Sequence, residues 1–151
     1  MALEKTLIPA ITVASPVAGN TREKLNIAVV FTSMEATITA MKEAGTLAGS
    51  LGARIDLVVP QVVPFPLPLE SPPVLLEFNE RRFREIASQS PVETAVQIYL
   101  CRDSAETLVN VLRPGSLVVM AGKRRWWPSR ETIMARKLQK AGHEVIFKEI
   151  Q

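Results

Sequence analysis

The chain has 151 residues, of which 47% are hydrophobic and 22% are charged, and these values are typical of one soluble globular domain. Cys101 is the only cysteine and His143 the only histidine, which excludes an intramolecular disulfide and a zinc site built from several such side chains. No apolar run reaches the roughly 18 residues of a membrane span, and the N-terminus makes a poor signal peptide, so we expect a cytoplasmic protein.

The first 24 residues differ from the rest of the chain. They are mixed in character and contain Pro9, Pro16 and Gly19. We predict that residues 1–24 form an N-terminal arm or an extra edge strand, and that residues 25–151 form the domain.

A strand–helix–strand unit opens this domain. Leu25–Phe31 is a continuous apolar run, typical of a strand buried on both faces. Thr32 and Glu35 have the spacing of a capping box, which predicts a helix start at Thr32. Gly52 ends the helix, and Ala53–Val59 is the second strand. The predicted buried face of the helix comprises Met34, Ile38, Met41, Gly45, Ala48 and Leu51.

A proline-rich connection follows, with six prolines between Pro60 and Pro73. Ser71-Pro72 has the pattern of an N-cap followed by proline at the first helical position. This predicts a helix that continues to Gln89, with an apolar face of Leu75, Phe78, Phe83 and Ile86. Val92–Cys101 is the third predicted strand.

Two more helices and two more strands complete the pattern. Asp103 caps a short helix that Pro114-Gly115 stops, and Ser116–Ala121 is the fourth strand. Ser129 caps the last helix, which Gly142 ends. The fifth strand is predicted at His143–Ile150.

This alternation predicts an α/β fold, a three-layer α/β/α sandwich around a five-stranded, mainly parallel, doubly wound sheet. We expect the five strands to lie in the spatial order 3-2-1-4-5. The winding then reverses between the first and fourth strands, and ligands in such sheets bind at the carboxyl ends of the strands at this reversal. Those ends are Phe31-Thr32-Ser33 and Ala121-Gly122-Lys123.

The order of elements and three local patterns resemble the universal stress protein family, which has the adenine nucleotide alpha-hydrolase-like superfold. "LNIAVVFTSMEA" is similar to the family's first strand and turn, "AGTLAGSLGARIDLVVP" to its helix end and second strand, and "GSLVVMAGKR" to its fourth strand and first site glycine. The resemblance covers about Lys24 to Ile150.

In the nucleotide-binding branch of the family, an Asp after the first strand and a Gly-x-x-Gly…Gly-Ser/Thr motif after the fourth strand hold ATP. Gly122 matches the first glycine. Phe31 replaces the Asp, Arg125 replaces the second glycine, and Glu131-Thr132 replaces the final Gly-Ser. Pro60, which has no N–H, falls where a backbone donor would meet adenine. The resemblance therefore implies a universal-stress-protein-like regulatory protein of the stress response that lacks family-type ATP binding and is not an enzyme.

Seven basic residues lie between Lys123 and Lys140, against the single acid Glu131, so the positive charge of the chain is local. This leaves open a degenerate nucleotide or anion site that would take ATP or AMP, as a slow ATPase, through the 122–130 loop. Its candidate residues are Thr32, Ser33, Gly122, Lys123, Arg125 and Ser129.

Other interpretations of "MAGKRRWWPSRET" also stay open. Trp126 and Trp127, beside basic residues, are types enriched at protein interfaces, so the segment could contact a protein partner. It is a weak footprint for nucleic acid, and it could be a surface turn in which one tryptophan packs beneath the loop.

No catalytic or metal-binding constellation is found. Ser33, Ser104 and Ser129 have no histidine nearby in sequence, and Asp56 and Asp103 are expected to have structural roles in a strand and a helix cap. Cys101 is expected to be an apolar filler at a strand end.

The last strand supports a further prediction. An apolar strand near the terminus would leave a bare sheet edge, and members of the resembled family commonly dimerise by antiparallel pairing of their last strands. We predict a homodimer through Val145–Ile150, in which Lys148 could instead protect the edge of a monomer.

Overall fold

A computed structural model describes residues 9–14, 25–63, 76–123 and 129–150, and gives side-chain surroundings for 25–63, 81–123 and 129–150. The strands are β1 Pro9–Ala14, β2 Asn26–Val30, β3 Arg54–Val62, β4 Thr94–Cys101, β5 Leu117–Lys123 and β6 Glu144–Ile150. The helices are α1 Met34–Leu51, α2 Leu76–Ser88, α3 Ser104–Val111 and α4 Arg130–Lys140.

The six described strands form one sheet in the order β1-β4-β3-β2-β5-β6. Strands β2 to β6 are mutually parallel, and they confirm the predicted doubly wound order 3-2-1-4-5 of the five core strands. Strand β1 pairs antiparallel with β4 and forms the edge beyond it. Of the segment 1–24, the structure describes only this strand.

Helices cover both faces of the sheet, so the fold has three layers. On one face the small side chains of α1 (Ala36, Ala40, Ala44 and Ala48) pack on alternate residues of β2, β3 and β5 together with Phe83 of α2. On the other face Leu108 of α3 and Leu138 of α4 pack on the intervening strand residues. Continuous apolar strands are required because both faces of the central strands are buried.

The start of α1 differs from the capping box predicted at Thr32. Ser33 is the N-cap, and its Oγ accepts a hydrogen bond from the Ala36 N–H at 3.2 Å. Gly52 ends the helix in the left-handed conformation at φ 66°, as predicted. The predicted buried face was wrong at Ile38 and Leu51, which are 43% and 53% exposed.

The predicted second strand was too short, because β3 continues through Pro60 to Val62. Pro60 pairs with Tyr99 of β4, whereas β2 has already ended opposite Val58. The missing N–H of Pro60 therefore interrupts no ladder with β2, which explains why a proline is tolerated here.

The other boundaries lie within one or two residues of their predicted positions. Asp103 and Ser129 are the N-caps of α3 and α4, as predicted. The predicted cap at Ser71-Pro72 and the proline-rich segment from 64 to 75 lie outside the described residues. Within the described part of the chain, no helix combines the length and the apolar character needed to cross a membrane.

Candidate functional site

The winding of the sheet reverses between β2 and β5, and their carboxyl ends lie side by side there. Thr32 follows β2, and its Oγ1 hydroxyl donates to the carbonyl oxygen of Ala121 in β5 at 2.9 Å. The Thr32 N–H donates to Thr37 Oγ1 at 3.2 Å. The hydroxyl and the N–H of Thr32 are therefore both used inside the protein, and the hydroxyl ties the two strand ends together.

Two helix N-termini flank this point, and each has a serine cap. Ser33 caps α1, while Ser129, which is buried, caps α4 and accepts from the Thr132 N–H at 3.2 Å. Each helix also carries a carboxylate in its first turn, Glu35 in α1 and Glu131 in α4. These acids occupy the positive ends of the helix dipoles, where a nucleotide phosphate would otherwise be favoured.

Gly122 is buried near the end of β5, on the face covered by α4. A Cβ built on Gly122 would stand 3.0 Å from Glu131 Cβ, 3.0 Å from Phe147 Cζ and 3.2 Å from Glu131 Cγ. Its φ is not positive, so the backbone conformation does not itself require glycine. The close approach of α4 and β6 accounts for glycine at this position.

The structure gives a packing role to Phe31 and a strand position to Pro60, the two residues that stand where the resembled family has nucleotide contacts. Phe31 packs edge-on against Phe83 of α2, with ring centroids 5.0 Å apart and an interplanar angle of 80°. Pro60 lies inside β3. An apolar contact between β2 and α2 therefore stands where the family has its carboxylate.

The candidate residues are only partly brought together by the described structure. Thr32, Ser33, Gly122 and Ser129 surround the carboxyl ends of β2 and β5, and Lys123 is exposed at the end of β5. Arg125, Trp126 and Trp127 lie outside the described residues.

A second polar cluster lies at the opposite end of the sheet, on the face covered by α3 and α4. The structure shows a cavity of about 380 Å³ near the amino ends of β2, β3 and β4, lined by Asp56, Tyr99, Gln97 and Arg113 among others. We expected only a structural role for Asp56. The signal for this cluster was the pair Arg54 and Asp56, the only charged residues in an otherwise apolar strand.

The remaining candidates behave as structural residues. Cys101 is buried, its thiol points to the Gln61 carbonyl oxygen at 3.8 Å, and burial raises its pKa, so the expected role as an apolar filler agrees with its surroundings. Buried His143 accepts a hydrogen bond at Nδ1 from the Ser116 N–H at 3.1 Å. Among the described residues, no three His, Cys, Asp or Glu side chains are grouped so that they could hold a metal ion.

Comparison with solved structures shows a likeness to a universal stress protein from Archaeoglobus fulgidus. The TM-score is 0.54 at 14% sequence identity, and the match covers 82% of this chain and 92% of that one. At this identity the likeness concerns the fold. No protein-family model matches the chain, and no curated protein matches it in sequence.

Proposed function

We propose that this chain is a universal-stress-protein-like, non-catalytic regulatory protein of the cytoplasmic stress response, and that it lacks family-type ATP binding. Its fold resembles that of a universal stress protein over most of both chains. The observation that carries the proposal is the crowding at Gly122, where Glu131 and Phe147 fill the space beside the glycine.

Phosphate binding by a loop requires access to its backbone amides. A phosphate-binding loop uses glycines so that its N–H groups can come close to the phosphate without a Cβ in the way. Here the glycine relieves contacts inside the protein, and the Glu131 side chain stands beside it. A carboxylate at the start of α4 satisfies the helix dipole and repels a phosphate group at the same place.

A rival function is supported by one feature of the same region. Lys123 is exposed where β5 ends, and Ser129 begins α4 only six residues later. A side-chain site for ATP or AMP, with slow hydrolysis, could use these groups together with Arg125.

Tryptophan fluorescence and calorimetry of the full chain with ATP, AMP and cyclic dinucleotides separate the two functions. The rival predicts a saturable signal that is lost in Lys123→Ala/Arg125→Ala and kept in the matched control Arg136→Ala/Lys137→Ala, whose residues are exposed on α4. Our proposal predicts no saturable signal from any of these ligands.

The proposal also includes a homodimer through Val145–Ile150. In the described sheet β6 pairs only with β5, so its other side is an open edge. The Glu144 N–H donates to the Ser116 carbonyl, and in a parallel ladder the alternate residues Val145 and Phe147 then direct their N–H groups outward. Lys148 and Glu43 form an exposed ion pair at 4.0 Å, which contributes little to holding this edge.

Analytical ultracentrifugation at micromolar concentration tests the dimer. Val145→Pro removes an outward N–H and should give a monomer, whereas Val145→Thr keeps that N–H and should remain a dimer. A monomeric mass for the unaltered chain would contradict this part of the proposal.

The two tryptophans support an interaction function that remains a prediction from the sequence. Trp126 and Trp127 would contact a protein partner, while the dimer would present two such segments. A crosslinking experiment with a photoreactive group at residue 126 should capture a specific protein under stress conditions, and loss of that product in Trp127→Ala would support the contact.

A further inference from the structure

Among the described residues, the cavity at the amino ends of β2, β3 and β4 is bordered by the end of the short helix α3 and the residues that follow it. Helix α3 has eight residues and ends at Val111, and its Leu108 packs in the same cluster as Val58. The cavity of about 380 Å³ is within the range of about 300–1,000 Å³ that small-molecule sites occupy. It lies at the opposite end of the strands from Gly122 and is separate from the site of the function proposed above.

Asp56 gives this cavity an acceptor without a partner. Its side chain is mostly buried, and among the described residues it forms no hydrogen bond or ion pair. Burial raises the pKa of Asp56, although Arg54 and Arg113 act in the opposite direction. An unpartnered carboxylate in this position costs stability, and such groups are frequent at functional sites.

Tyr99 and Gln97 add a second acceptor and a donor. The Tyr99 hydroxyl donates to Gln97 Oε1 at 2.8 Å. The phenol oxygen can therefore accept from a ligand, while the Gln97 amide nitrogen can donate to one. Burial raises the pKa of Tyr99, and nearby Asp56 raises it further, so the hydroxyl keeps its proton.

Charges of both signs line the cavity. Asp56 and Glu93 are negative, while Arg54 and Arg113 are positive, so the formal charges cancel. Arg54 is engaged through Nε with Asn26 Oδ1, whereas the exposed Arg113 stands at the rim. A simple anion or cation would meet a repelling group here, but a ligand with both charges would be matched at each end.

We propose that this cavity binds a small zwitterion of the α-amino acid class. Its ammonium group would donate to the Asp56 carboxylate and the Tyr99 oxygen. Its carboxylate would accept from the Arg113 guanidinium and the Gln97 amide. The small side chains of Ala28 and Ala95 leave room for its carbon atoms on the surface of the sheet.

Amide NMR titration of the isotope-labelled full chain tests this proposal, with each of the common amino acids as the probe and with acetate and methylammonium as single-charge controls. The expected result is a saturable shift of the Asp56, Gln97 and Arg113 amides with at least one amino acid. Acetate or methylammonium alone should bind at least about tenfold more weakly, because each makes only half of the charge-assisted contacts.

Asp56→Asn keeps the shape of the side chain and should weaken binding at least about tenfold, since it removes the charged acceptor. Arg113→Gln, at an exposed position, should weaken binding comparably and gives a second, independent test of the site. Glu106→Gln is the matched control, because Glu106 is exposed on α3 outside the cavity. No saturable shift with any amino acid, or binding that survives both cavity variants, would overturn the proposal.

Discussion

The substitution Gly122→Ala gives a direct test of the crowding of Gly122 by Glu131 and Phe147. An added Cβ would stand 3.0 Å from both Glu131 Cβ and Phe147 Cζ, closer than ordinary van der Waals contact. Overpacking of this kind costs about 1–3 kcal/mol. Replacing glycine by alanine at a permitted conformation gains about 0.4–1 kcal/mol from the unfolded state. We therefore expect a net loss of about 1 kcal/mol in the free energy of unfolding.

Chemical denaturation and a thermal scan measure this change. A loss of about 1 kcal/mol corresponds to a decrease of about 2–4 °C in Tm for a chain of this size. Gly49→Ala is the matched control, because Gly49 is exposed in α1 and an added Cβ would meet nothing within 4 Å. That change should stabilise the protein by about 0.5–1 kcal/mol, since glycine is unfavourable in a helix interior.

The variant Phe147→Leu removes the Cζ atom that an added Cβ at residue 122 would meet. It therefore tests whether this contact contributes to the loss of stability in Gly122→Ala. In this background Gly122→Ala should cost less than it does alone, although a part of the cost should persist because the contacts with Glu131 remain. If Gly122→Ala were instead as stable as the unaltered chain, the crowding between β5, α4 and β6 would be refuted, and the glycine would need another explanation.

Three further substitutions test other contacts. Thr32→Val removes the hydroxyl that donates to Ala121 and should lower the free energy of unfolding by about 0.5–1.5 kcal/mol in urea, whereas Thr32→Ser should change it less. The folded state raises the pKa of Asp56, so it holds that proton more tightly than the unfolded state does, and stability should fall as pH rises from about 3.8 through the raised pKa. Asp56→Asn should remove this pH dependence and be more stable at neutral pH; an unchanged pH profile would contradict the assignment. His143→Phe removes one of the two acceptors of the half-buried Ser116 N–H, which also donates to the Arg113 carbonyl at 3.2 Å, and should cost about 0.5–1.5 kcal/mol, while His143→Asn, which offers an oxygen near the place of Nδ1, should cost less.

The sheet could be predicted because the patterns that mark its strands lie in short stretches of the sequence. Apolar runs such as Leu25–Phe31 mark strands buried on both faces, and right-handed crossovers leave few strand orders for five such runs. The same rules place Thr32, Gly122 and Ser129 near one another, because the carboxyl ends of parallel strands meet at one edge of the sheet.

The N-cap and the buried face of α1 depend on tertiary contacts, which the local sequence pattern does not contain. Thr32 and Ser33 are both good caps, and Ser33 is used because the Thr32 hydroxyl bonds to Ala121 across the sheet. The buried face of α1 is centred on alanines instead of Ile38 and Leu51, since small side chains let the helix lie close to the strands.

The role of Gly122 also depends on contacts with residues that are distant in the chain. Its position was predictable from the end of β5, but the atoms that crowd it belong to α4 and β6, which are distant in the chain. Asp56 is comparable, because its cavity is lined by residues of β2, β3, β4 and the segment after α3, which are distant in the chain.

Isothermal titration calorimetry of ATP into the full chain tests the central claim most directly, with a nucleotide-binding universal stress protein measured under the same conditions as the positive control. We expect a saturable heat for the control and none for this chain, because Glu131 and Phe147 occupy the space beside Gly122. A stoichiometric, saturable heat with this chain that Gly122→Ala abolishes would contradict this expectation.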